Sequence, residues 1–159
     1  MRLFGGFLLS AALSLFLLAH LEKEETAFRL LLSLLSFVRE IRQKISAFEM
    51  PLDDIVNGYT DRTLEEHGFL AAAREKGVSE AGAILRKKGL PSPAVASSLG
   101  EFFSSLGKGF QAEEIRKCDA MERLLEKARE ETHTALTKTK KITRALILTG
   151  TLFILIILW

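Results

Sequence analysis

Cysteine and polar aromatic residues are what this chain has least of: one Cys, one Trp and one Tyr stand against 11 Phe. A single cysteine, Cys118, excludes an internal disulfide and any multi-cysteine metal site. So few Tyr and Trp remove the usual platforms for carbohydrate or base stacking. An excess of one charge is also missing, because 22 Lys and Arg nearly cancel 20 Asp and Glu. That balance gives no general attraction to nucleic acid. No stretch alternates apolar and polar residues as a strand would, and there is no internal repeat or low-complexity tract. The predicted class is all-α.

The apolar residues gather at the two ends, while nearly every charge lies between Glu22 and Arg144. Leu3 to Leu21 reads LFGGFLLSAALSLFLLAHL, about 28 Å as a helix and close to the thickness of a bilayer core. It is too long for a signal-peptide core and ends without an A-x-A site, so an uncleaved anchor is expected over residues 1–21. Residues 142–159 form a second apolar run. Alone, Ala145 to Trp159 reaches only about 22 Å, and adding Ile142 to Arg144, with Arg144 snorkelling, extends it to about 27 Å. Trp159 is placed as an interfacial aromatic. Lys138, Lys140, Lys141 and Arg144 flank this run, and Lys23 and Arg29 follow the first. The positive-inside rule therefore puts residues 22–141 in the cytoplasm, with the basic cluster facing lipid headgroups.

Residues 22–141 read as a bundle of about five to six helices, the first and last continuous with the membrane segments. Ala27, Leu31, Leu34, Val38, Ile41, Ile45 and Phe48 form a heptad seam, widened by Leu30, Leu35 and Phe37. Pro51 opens a short helix carrying Asp53 and Asp54 in its first turn. Thr63 and Glu66 suggest a capping box for one helix that continues to Gly77. Ser79 caps the next, which Gly89 ends. Val95, Leu99, Phe102, Phe103 and Leu106 share a face closed by Gly107 and Gly109. A last, Gly- and Pro-free helix carries Cys118, Met121, Leu125, Ala128, Thr132, Ala135, Thr139 and Ile142 on one seam.

Chemistry is sparse. His20, His67 and His133 lack metal-ligand spacing, and the carboxylates adjoining His67 (Glu65, Glu66) point elsewhere on a helix. GKG at Gly107 to Gly109 lacks the frame of a phosphate loop, and no serine stands in a nucleophile elbow. Cys118 falls on an apolar seam, where burial is expected. No cofactor, metal or catalytic residue is assigned, and an enzyme is not expected.

The layout resembles the stage III sporulation protein AB family. The likeness rests on the N-terminal span and long helix, MPLDDI at Met50 to Ile55, LGEFFSSLGKG at Leu99 to Gly109, and the closing ALILTGTLFILIILW. Phe110 and Glu114 depart from it, standing where that family tends to have an acidic residue and a glutamine. The resemblance implies a membrane component on the mother-cell side of a channel between mother cell and forespore. Its cytoplasmic domain would be similar to type II secretion inner-membrane F proteins. It would couple a cytoplasmic secretion-type ATPase, and other stage III channel proteins, to the membrane without catalysing anything. Pro51, Leu52, Phe102, Phe103, Leu106 and Gly107 become candidate interaction or packing residues. A different reading of the same sequence is an anchored adaptor that pairs its first heptad seam with a partner helix. A third is a membrane-bound enzyme built on His67 with Glu65 or Glu66.

Overall fold

A computed structural model describes the backbone of residues 2–87, 90 and 92–158, and the side chains of 12, 14–85, 90, 92–150 and 152. Gly89 and Trp159, expected as a helix stop and an interfacial aromatic, lie outside them. Among the described residues there are seven helices and no strand: α1 Arg2–Phe48, α2 Leu52–Gly58, α3 Arg62–Glu66, α4 Phe69–Lys76, α5 Val78–Lys87, α6 Pro93–Ser105 and α7 Gln111–Leu158. The chain divides into two compact units, Ala27–Glu131 and Met1–Thr26 with Thr132–Trp159. The first unit lies within the bundle expected over 22–141.

The Ala27–Glu131 unit is built by the expected seams. On α1, Leu30, Leu31, Leu34, Phe37, Val38 and Ile41 are wholly buried. On α6, Val95, Leu99, Phe102 and Phe103 face the same core. Arg39 Nε donates to Glu122 at 2.6 Å, its Nη2 pairs with Glu126, and Arg42 pairs with Asp119. Farther along, Gln111 Nε2 donates to the Ile45 carbonyl at 2.8 Å. Residue numbers rise on α1 as they fall on α7, so within this unit the two helices run antiparallel. The short helices pack in succession, α4 on α5 and α5 on α6. At the centre, Phe37, Phe69 and Phe103 from α1, α4 and α6 meet with ring centroids 5.2–6.2 Å apart.

Four local details differ from expectation. The helix expected from Thr63 to Gly77 is broken at His67 and Gly68, because Gly68 takes the left-handed conformation (φ 74°) between α3 and α4. Such a residue ends one helix and lets the chain turn before the next begins. The cap of α3 is Asp61, whose carboxylate accepts the Leu64 N–H at 2.8 Å, and Thr63 lies inside the helix. Ser79 is likewise inside α5, which starts at Val78 after Gly77. Phe48, the last residue of the α1 seam, is 68% exposed because α1 ends there and no neighbouring helix covers it.

In the other unit, the seam of α7 drifts. Ala135 and Ile142 are exposed, and Leu136 and Thr143 are buried in their place. A straight helix turns about 3.6 residues per turn, so a strict seven-residue pattern rotates off its face within two or three heptads. Lys140 Nζ pairs with Glu25 at 2.8 Å, and His20 Nε2 lies 3.3 Å from Glu24. Among the described residues, no helix is long and apolar enough to cross a membrane. About half of the side chains of the two apolar terminal runs lie outside that description.

Candidate partner-binding site

Phe48 and Phe110 are the most exposed large apolar side chains of the Ala27–Glu131 unit, at 68% and 87%. They flank one corner, where α1 ends, α2 begins and the α6–α7 loop returns. A cleft of ≈ 240 Å³ lies there, with Ile45, Met50 and Leu52 as its apolar lining and Glu49, Gly107 and Glu114 beside them. Two structural devices hold it open.

The first is the end of α1. Glu49 has φ 49°, the left-handed region that side chains rarely adopt. Its N–H donates to the Ile45 carbonyl at 3.2 Å, and the Met50 N–H reaches back to Lys44 at 3.5 Å. This is the closing geometry that glycine usually serves, so a glutamate here carries backbone strain of about 1–2 kcal/mol. The turn releases the chain into Pro51, which precedes α2.

The second device is Glu114 at the start of α7. Its carboxylate accepts the Gly107 N–H at 2.9 Å, the Gly109 N–H at 2.8 Å and the Lys117 ammonium at 2.9 Å. Lys117 also pairs with Glu113 at 3.1 Å and donates to the Ser105 carbonyl at 3.1 Å. Burial by itself would push the Glu114 carboxyl up. The Gly107 amide, Lys117 and the Gly109 amide outweigh it and hold the group below the ordinary carboxylate range. Gly107 has φ 80°, and a Cβ there would stand 3.3 Å from Leu52 Cδ2. Close approach of the loop to α2 therefore depends on glycine.

The candidate residues separate cleanly. Leu52 and Gly107 meet in the cleft, and Pro51 is exposed at its edge. Phe102, Phe103 and Leu106 are buried packing residues and offer no surface to a partner. Of the basic cluster, Lys138, Lys141 and Arg144 are exposed, whereas Lys140 is engaged by Glu25.

No protein-family model, curated protein or solved structure matches this chain. What the site does must be read from its own geometry.

In the sequence Glu114 stands out only as a departure from the resembled family, not as a site residue, and Glu49 does not stand out at all. For Glu114 a signal was present: two glycines followed by a helix whose first turn holds Glu113 and Glu114, a carboxylate poised to reach back to free amides. For Glu49 there was none, since nothing in a Glu residue announces a left-handed backbone. The groups near His67 are occupied locally. His67 Nδ1 lies 2.8 Å from the Thr63 carbonyl, Glu66 pairs with Arg62 at 2.7 Å, and Glu65 lies 3.5 Å from Arg74. Among the described residues, no three His, Cys, Asp or Glu are grouped to hold a metal ion.

Cys118 is wholly buried, and burial followed by the nearby Glu114 and Asp119 carboxylates pushes its thiol up to about 12. The thiolate is the reactive form, so the folded protein should be inert to maleimide near neutral pH. A mass shift of one label is expected only after urea unfolding. Labelling of the native protein at the rate of a free thiol would contradict this burial.

Proposed function

We propose that the chain is a non-enzymatic membrane platform of a sporulation channel apparatus, coupling a cytoplasmic secretion-type ATPase to the membrane complex. One observation carries the reading. Leu15, Phe16, Ile142, Leu146, Leu148 and Leu152 in the terminal unit are 52–71% exposed, beside the exposed cations Lys138, Lys141 and Arg144. Large apolar side chains bare to water on this scale mark a surface meant for lipid or protein. The adjoining cations suit anionic headgroups. The terminal runs would enter the bilayer, and Arg144 would snorkel toward its surface. The charged bundle would stand on the cytoplasmic, mother-cell side. Its core is already filled by the α1 seam, and that favours a platform over an adaptor that lends this seam to a partner helix.

The mechanism would be mechanical. α1 is 47 residues long and α7 is 48, and each carries both bundle residues and a terminal apolar run. A force applied to the bundle would be passed toward the membrane segments along these two helices. The test combines topology and partnership. With Cys118 buried, a Glu65→Cys variant offers one accessible thiol. It should resist an impermeant maleimide in intact sporulating cells and react after lysis, and the protein should co-purify with a secretion-type ATPase. Labelling in intact cells would overturn the cytoplasmic placement, and absence of the ATPase would overturn the platform.

A further inference from the structure

We infer that the corner cleft receives a segment of a partner protein that combines a large apolar side chain with Lys or Arg residues. The inference rests on reading the bundle as a partner-binding platform, and it assigns the chemistry of the partner segment. At ≈ 240 Å³ the cleft is smaller than the usual range of small-molecule pockets, about 300–1,000 Å³, and suits one anchoring side chain. Ile45, Met50 and Leu52 supply an apolar lining, and exposed Phe48 and Phe110 adjoin the lining residues Glu49, Gly109 and Gln111 in the chain. Aromatic residues bared around a small cleft are the usual substance of an interface centre.

The charges name the occupant. Glu49 lines the cleft, and exposed Asp53 and Asp54 follow its lining residue Leu52 in the chain. Among the described residues none of the three has an ion-pair or side-chain hydrogen-bond partner. Against them stands exposed Lys108, while Lys44 and Lys117 are already engaged by Glu40 and by Glu113 with Glu114. The rim is therefore acidic, and a cationic partner gains both attraction and register from it. Anionic lipid would be repelled by the same carboxylates. The strain at Glu49 points the same way. Glu49 takes a left-handed turn that glycine would adopt freely, and it lines the cleft.

The test uses the full chain in the membranes of the cells that make it. Phe110→p-benzoylphenylalanine places a photoreactive ring on the exposed residue between the lining residues Gly109 and Gln111, and mass spectrometry reads the crosslinked peptide. A peptide of another protein, rich in Lys or Arg and bearing Leu, Ile or Phe, is the expected product. Charge reversal of the rim (Glu49→Lys with Asp53→Lys and Asp54→Lys) should lower its yield by about tenfold or more. The variant should still unfold cooperatively with a modestly lower melting temperature, because the three groups are exposed but Asp53 and Asp54 leave their favourable place in the first turn of α2. Asp53→Asn with Asp54→Asn, which adds no cation there, should lower the crosslink yield in the same direction. Crosslinks only to lipid, to a second copy or to an acidic peptide, no crosslink at all, or indifference to charge reversal would each overturn the inference. If the crosslink fails while the ATPase still co-purifies, the platform stands and this site falls. A basic, apolar peptide from a protein unrelated to an ATPase would leave the site standing and remove the coupling role.

Discussion

Phe103→Ala is expected to destabilise the Ala27–Glu131 unit by about 3–5 kcal/mol, the usual cost of emptying a buried phenylalanine site. Its ring is wholly buried on α6, with centroids 5.2 Å from Phe69, 5.1 Å from Phe102 and 6.2 Å from Phe37. Those neighbours come from α4, from α6 itself and from α1. Three helices thus fix the walls of the space the ring would vacate, so collapse around an alanine is restricted. A domain of this size is stable by only about 5–15 kcal/mol, and a loss of this scale moves its urea midpoint severely. Phe48→Ala makes the control. That ring is 68% exposed at the end of α1, and its removal should change stability by no more than about 0.5 kcal/mol. Far-UV circular dichroism across a urea titration, with the protein in detergent, reads both variants. A Phe103→Ala loss below about 1 kcal/mol would mean the aromatic cluster is not the keystone of the core.

The contrast between Phe103 and Phe48 also marks how far the sequence could be read. Both lie on apolar periodic faces, and periodicity reports which side of a helix is apolar. It does not report where the covering neighbour stops. Leu31, Leu34, Val38 and Ile41 were legible because α1 is covered along that stretch. Phe48 belongs to the same pattern, one turn beyond the cover. The α7 seam failed for a geometric reason, as a seven-residue rule slid off a 3.6-residue helix and missed Leu136. The break at Gly68 was hidden because glycine inside a helical pattern is tolerated or terminal according to its backbone conformation, which composition does not carry. The candidate site was legible at Leu52 and Gly107, the residues of the two turns, since turn chemistry is local. Its organising groups, Glu49 and Glu114, depend on contacts that span the loop and were not.

Glu114→Ala should cost about 2–4 kcal/mol, although only one polar side chain is lost. The carboxylate is buried and accepts the Gly107 and Gly109 amides together with Lys117. Removing it strands two donors at 2.8–2.9 Å from an acceptor no longer there, and leaves Lys117 with Glu113 on the helix surface. Glu114→Gln keeps one acceptor oxygen but turns an amide toward N–H donors, so an intermediate loss is expected. The pH dependence separates charge from shape. Burial opposes ionisation of Glu114, the two amides and Lys117 favour it more strongly, and the net folded value lies below the reference of 4.5. A depressed folded value means that the unfolded chain takes up the proton first as pH falls. The stabilisation from this group is therefore complete above about pH 4.5 and is lost as pH drops through the folded value. Urea midpoints of parent and Glu114→Gln should differ by a constant amount from about pH 6 to 8 and converge below about pH 4.5. A gap that persists unchanged to about pH 3 would show that the carboxylate acts through shape alone. Because the same group fixes the Gly107 to Gly109 wall of the cleft, its loss should also weaken the Phe110 photo-crosslink, which links the stability of this loop to partner capture.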